Sequence, residues 1–272
     1  MHKVLRPRHG LARLKLAEVW EYRELMFFLA WRDILVRYKQ TEIGILWAFL
    51  RPFITMVIFT VVFGRLAKLP SANLPYPVFA LAGLLPWQLF STAFSEAASS
   101  IVGSGQLVSK VYFPRLIIPI SATFSVLVDF LVSSLMLAVL MIWYGVRVSA
   151  SIVWLIPLTA LCMLAAIGSG ILFAALYVRY RDIRHILPFI VQFGLYISPV
   201  AFMSTMIPAK WRLLYSLNPM VGVIDGFRWA LFGGTNVIDM PAIALSVALT
   251  VVMLIGGLYY FRNTERLFAD II

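Results

Sequence analysis

Residues 148–178, VSASIVWLIPLTALCMLAAIGSGILFAALYV, run for 31 positions without a charged side chain. An α-helix rises 1.5 Å per residue and the hydrocarbon layer of a bilayer is about 30 Å thick, so about 20 apolar residues make one crossing. The stretch exceeds that length, and three others do too: 69–95 with 27 uncharged positions, 185–209 with 25 and 240–261 with 22. Two further apolar runs are each interrupted by one ionisable residue, 43–66 by Arg51, with Arg65 at its end, and 116–146 by Asp129. The pattern predicts an all-α integral membrane protein with six transmembrane helices, at approximately 43–66, 76–102, 116–146, 152–178, 186–206 and 241–261. Residues 1–42 form a separate N-terminal segment ahead of the membrane domain, 43–272.

Composition agrees. The 272 residues are 62% hydrophobic with a mean hydropathy of +0.91, well above the roughly 45 to 50% apolar content of a soluble domain. The first 42 residues are studded with charge and contain no apolar run of signal-peptide length, so this segment is expected to stay in the mature protein. A net charge of +11 could point to nucleic acid, but the placement of the charges argues otherwise. Ten of the 23 Lys and Arg lie in residues 1–51. With both termini in the cytoplasm, Lys110, Arg115, Arg179, Arg181, Arg184, Arg262 and Arg266 join them, and only six basic residues remain outside. This is the positive-inside bias, which fixes orientation and attracts anionic lipid without nucleic acid. The single Cys162 allows no disulfide framework or thiolate metal site. The twelve acidic residues are scattered and His2, His9 and His185 form no constellation, which speaks against a membrane enzyme.

Ahead of the first span, Leu16, Val19, Tyr22, Met26 and Leu29 recur at helical spacing while Lys15, Glu18, Glu21 and Glu24 lie off that stripe. The reading is an amphipathic helix on the membrane surface, which is also a shape that can dock a cytoplasmic partner. Gly103 to Lys110 resembles a phosphate loop superficially, but the glycine needed immediately before the lysine is absent. The Arg179 to Arg184 cluster reads as a topology anchor between spans four and five.

After the fifth span, residues 198–239 are too rich in Pro and Gly for another crossing and too apolar for a solvated loop. Pro199, Pro208 and Pro219 divide them, leaving two short helical pieces at approximately 209–217 and 220–232. Asn218 followed by Pro219 suits an N-cap and first helical position, and Gly233-Gly234 a stop. Apolar helices this short are re-entrant or interfacial. Backbone can enter a membrane in that way only where protein or a water-filled cavity satisfies it, so the pair is expected to gate a pathway.

Three blocks carry a family resemblance. They are Arg37-Tyr38-Lys39-Gln40-Thr41 with Gly44, Trp47-Ala48 and Arg51-Pro52; Phe113-Pro114-Arg115 with Pro119 and Ser121; and Asn218-Pro219-Met220 with Asp225-Gly226-Phe227-Arg228. In this order they resemble the ABC-2 type permeases that export polysaccharides and polyol phosphates, including O-antigen, capsule and teichoic-acid exporters. The resemblance covers nearly the whole chain. It implies a bacterial inner-membrane subunit that forms a homodimer, associates with two copies of a separate ATPase subunit and moves a lipid-linked polysaccharide. ATP and Mg²⁺ would be bound by that partner, since the chain itself has no ATPase motif and needs no cofactor. It also implies that residues 109–115 form a coupling helix seated in the ATPase through Lys110, Val111, Tyr112, Phe113, Pro114 and Arg115, with Tyr112 and Phe113 as apolar anchors. The helix before span one becomes a docking element.

A glycan has polar edges and apolar faces, so a conduit for it benefits from aromatic rings. Trp87, Phe90, Tyr196, Phe202, Trp211, Tyr215, Phe227 and Trp229 are candidates, although Trp and Tyr also gather at membrane interfaces as anchors. Three ionisable residues lie near membrane depth, where an unpaired charge costs several kcal/mol. Arg51 and Glu96 are expected to face each other as an ion pair, while Asp129 has no partner nameable from sequence. Two other readings stay open, an ABC-2 permease for a small molecule or drug, and an ion-coupled carrier, for which Asp129 alone and the lack of an internal repeat are thin support.

Overall fold

A computed structural model of the protein describes residues 16–39, 44–111, 113–233, 239–265 and 268. The described residues are all-helical, with no strand. At the N-terminus α1 (Leu16–Glu21) and α2 (Arg23–Lys39) precede α3 (Gly44–Phe59), which continues through a π-helical turn at Thr60–Leu66. Then come α4 (Tyr76–Gly103), the short α5 (Gly105–Lys110), α6 (Ile117–Phe124), α7 (Val126–Trp143) and, behind a 3-10 turn at Ala150–Trp154, α8 (Leu155–Arg179). The chain closes with α9 (Ile183–Ile197), α10 (Ala209–Tyr215), α11 (Pro219–Phe232) and α12 (Met240–Thr264).

Five helical stretches are long and apolar enough to cross a membrane: Leu46–Leu66, Tyr76–Gly103, Ile117–Trp143, Ala150–Arg179 and Met240–Thr264. They coincide with five of the six expected spans. The remaining one, expected over 186–206, is the 15-residue α9, about 22 Å at the helical rise and so shorter than the hydrocarbon layer. Pro199 ends it, because a residue before proline is pushed out of the helical region, and Ser198 has ψ 152°. The third span is two helices meeting at Ser125. The hydroxyls of Ser121, Thr123 and Ser125 each donate to the carbonyl three residues back, at 2.9, 2.7 and 2.9 Å, a local bonding pattern that bends helices.

The hub is α4, buried on nearly every side and packed most extensively on α8. Small residues set the distances. A Cβ at Gly170 of α8 would stand 2.5 Å from the Ala97 Cβ of α4, and one at Gly257 of α12 would stand 2.4 Å from the Gly168 carbonyl oxygen of α8. In lipid there is little hydrophobic force between helices, so this close approach of backbones supplies the dispersion that holds them. Large apolar side chains face outward instead, among them Val57 and Ile58 of α3, Val61 of the π-helical turn after it, and Leu131, Leu135, Val139 and Ile142 of α7. That arrangement suits a lipid or protein neighbour rather than water.

The N-terminal helices follow the expected stripe in part. Val19 and Leu29 are buried and Met26 is half-buried, in a cluster with Phe113, Ile117 and Ile118. Tyr22, at the turn between α1 and α2, is exposed, and the outward face carries Trp20, Phe27, Phe28 and Trp31. The helix pair is therefore apolar on two sides, toward the bundle and away from it. Of the sequence features singled out above, His2, His9, Lys15, Gln40, Thr41, Tyr112, Gly234 and Arg266 lie outside the described residues.

Candidate functional site

The last turn of α2 enters a cavity of about 630 Å³ bounded by α3, α4 and α7. There Arg37 divides its guanidinium between two carboxylates on different helices. Its Nη2 donates to Glu96 Oε1 of α4 at 2.6 Å and its Nη1 to Asp129 Oδ2 of α7 at 2.7 Å. The Tyr38 hydroxyl donates to the other Asp129 oxygen. Burial, and after it the bond to Asp129, push the Tyr38 phenol above its ordinary pKa, so it remains a donor at physiological pH. Arg51 of α3 and Gln88 and Thr92 of α4 add polar groups to the wall.

Arg51 and Glu96 do share this cavity, but the expected pair is not formed: Glu96 is held by Arg37. Asp129, which had no nameable partner, has two. Pattern reading missed Arg37 because it sits 59 and 92 positions from its partners, on a helix outside the spans. Its one signal was membership of the Arg37-Tyr38 block.

A second polar construction lies after α9. The carbonyls of the irregular stretch 199–202 are taken one by one by side chains. Arg228 of α11 donates through Nη1 to Pro199 at 2.7 Å and Phe202 at 3.0 Å, and through Nη2 to Val200 at 2.6 Å. The Tyr76 hydroxyl donates to Ala201 at 2.6 Å. Asn218 Nδ2 donates to the Ser198 hydroxyl at 2.9 Å, while its Oδ1 caps α11 by accepting from the Met220 N–H at 3.0 Å. Arg228 is only 2% exposed, and its guanidinium carbon lies 3.8 Å from the centroid of the Phe79 ring. Non-helical backbone survives at membrane depth when its polar groups are satisfied in this way.

The coupling segment differs from expectation. The helix lies earlier, at Gly105–Lys110, and Val111 is extended (φ −124°, ψ 135°). Phe113 is 5% exposed, within the cluster of Ile117, Phe261 and Phe268, and so faces its own core rather than a partner. Arg115 is tied to the end of α12: its N–H donates to Glu265 Oε1 at 3.3 Å and its side chain donates to the Glu265 carbonyl. Lys110 and Val111 are exposed and Pro114 is half-buried.

The eight candidate aromatics also divide, and none of them lines the cavity, whose rings are Tyr38, Trp47 and Phe130. Trp87 and Phe227, 5% and 1% exposed, fill the core, Phe227 edge-on to Phe130 with centroids 6.3 Å apart. Phe90 stacks on Phe94, Trp229 tilts against Trp154 and Phe202 pairs with Tyr215. Tyr196 and Trp211 are exposed.

An all-helical bundle with five membrane-length helices and an ionised cavity between them is the build of a polytopic membrane protein. The chain belongs to the ABC-2 type transporter family, whose model matches residues 24–232, and it is accordingly a transmembrane transport subunit. It is 30% identical over 257 residues to the O-antigen export system permease protein RfbA of Myxococcus xanthus, covering 93% of this chain and 97% of the relative. It is 28% identical over 250 residues to the protein of the same name from Klebsiella pneumoniae, with 92% and 95% covered. Over 240 residues it is 25% identical to the polysialic acid transport protein KpsM of Escherichia coli, with 86% and 91% covered.

Proposed function

We propose that this chain is the permease subunit of an ABC exporter that carries a lipid-linked polysaccharide, O-antigen in the first instance, across the bacterial inner membrane. The observation that carries the reading is near full-length similarity to permeases named for O-antigen export, 92 to 93% of the chain. The relative named inner membrane transport permease YadH, from Escherichia coli K12, spans only 68% of it. The second reading, an ABC-2 permease for a small molecule or drug, rests on that likeness to a permease whose name specifies no polysaccharide.

In this reading the chain crosses the membrane six times. The short α9 completes its crossing through the side-chain-capped stretch 198–202, and α10 and α11 are a re-entrant pair at the outer face. Both termini are cytoplasmic, as the positive-inside bias supports, with residues 1–42 as the cytoplasmic segment and 43–272 as the membrane domain. Two copies pair to widen the pathway, and two ATPase subunits supply the ATP and Mg²⁺ chemistry. Lys110, Val111 and Tyr112 make the contact with the ATPase, while Phe113, Pro114 and Arg115 brace that loop on the bundle. Tyr196, Phe202, Trp211 and Tyr215 offer rings toward the pathway, Trp87, Phe90, Phe227 and Trp229 shape the wall behind them, and Arg51, Glu96 and Asp129 keep the inner cavity polar.

Deleting the gene tests the reading. Lipid-linked polymer should accumulate inside the cell and vanish from its surface, and normal surface polymer in the deletion strain would refute the proposal.

A further inference from the structure

The end of α2 makes direct polar contact with two of the spans. We propose that Arg37 is a coupling strut, a positioning residue that transmits displacement of α1 and α2 to α4 and α7, so that ATP hydrolysis and polymer movement stay in step. The inference rests on the reading above, in which the ATPase contacts Lys110 and Val111, residues that share a pocket with Arg32 of α2.

Three observations support it. First, the rest of α2 packs through Met26 and Leu29 on α6; apolar contact is non-directional and permits sliding, whereas short charge-assisted bonds fix register. Second, each Nη of the planar guanidinium reaches a carboxylate on a different span, at 2.6 and 2.7 Å. One side chain thus bridges α4 and α7, which also pack on each other through apolar residues, in a fork geometry that lysine does not have. Third, Glu96 stands in the walls of two cavities, the one of about 630 Å³ and a second of about 240 Å³ lined by Leu29, Arg32 and Asp33 of α2 and by Ser99 and Ile118. A shift of α2 that drew Arg37 off Glu96 would alter the partition between them. Neutralising these partly exposed carboxylates does not by itself call for a residue from outside the spans, since Arg51 already lines the larger cavity.

The test uses the full chain co-expressed with its ATPase, comparing surface polymer with ATPase activity of the purified complex. Arg37→Met should leave the complex assembled and hydrolysing ATP within about twofold of wild type while surface polymer falls about tenfold or more. Arg37→Lys, which keeps the charge but reaches one carboxylate, should fall between. The triple variant Arg37→Met, Glu96→Gln, Asp129→Asn removes the three charges of the cluster together, so that none of them is left without its partner, and it should stay uncoupled. Wild-type export by the triple variant, or by Arg37→Met, would overturn the proposal by reducing the cluster to charge neutralisation. Failure of both variants to assemble would overturn it too, by making Arg37 a folding residue. Failure of the permease reading is separable, because it appears in the wild-type complex as ATP hydrolysis with no polymer at the surface.

Discussion

A methyl group added at Gly83 would meet Arg228 Nη2 at 2.6 Å and the Val200 carbonyl oxygen at 2.9 Å. The glycine in α4 is thus the seat on which Arg228 closes the stretch after α9. Gly83→Ala should displace the guanidinium and cost about 1 to 3 kcal/mol as an overpacked site. Arg228→Met should cost more, because three carbonyls lose their donors at about 1 to 3 kcal/mol for each buried group left unmade. Thermal unfolding of the solubilised protein checks both: the expected order of melting temperature is wild type, Gly83→Ala, Arg228→Met. How legible these residues were depends on range. The Asn218 cap was readable because its acceptor and donor are two positions apart. The role of Arg228 was not, since its acceptors are backbone carbonyls 26 to 29 positions away, and a carbonyl carries no mark of the residue that owns it.

At the scale of elements, spans are written locally and their junctions are not. Length and hydropathy placed five helices correctly because lipid requires backbone bonds to be closed within each segment. The shortness of α9 and the bend at Ser125 follow from a proline and from side-chain bonds that pattern counting overlooks. The loop after α5 is a second such case: Tyr112 and Phe113 looked alike as apolar anchors, and burial assigned Phe113 to the core. Val111→Asp should therefore lower recovery of the ATPase with the permease by about tenfold, a loss near 1.4 kcal/mol, while Phe113→Asp should instead lower the amount of permease in the membrane. Equal effects of the two on both measurements would contradict this division. The α8 and α12 contact makes its own prediction. Gly257→Val places branched carbon against the Gly168 carbonyl at 2.4 Å, and should melt the protein earlier than Gly256→Val, where nothing lies within 4 Å.

For the whole molecule, the question is what covers the outward apolar faces of α3 and α7. In the reading above, much of that surface meets lipid and part of it meets a second copy. Size measurement of the purified complex should return two permease chains with two ATPase chains; a complex with one permease chain would rule out a pathway at a dimer interface. The five membrane-length spans and the interrupted piece after α9 were determined by the sequence alone. Each depends only on transfer of short segments between water and hydrocarbon, and so is local in the chain. Tertiary structure alone decided which charges meet: Arg37 and not Arg51 holds Glu96, and Asp129 is tolerated near the middle of its span because α2 reaches it. Ion pairing depends on where folded helices bring their side chains, and no property of an individual segment records that distance.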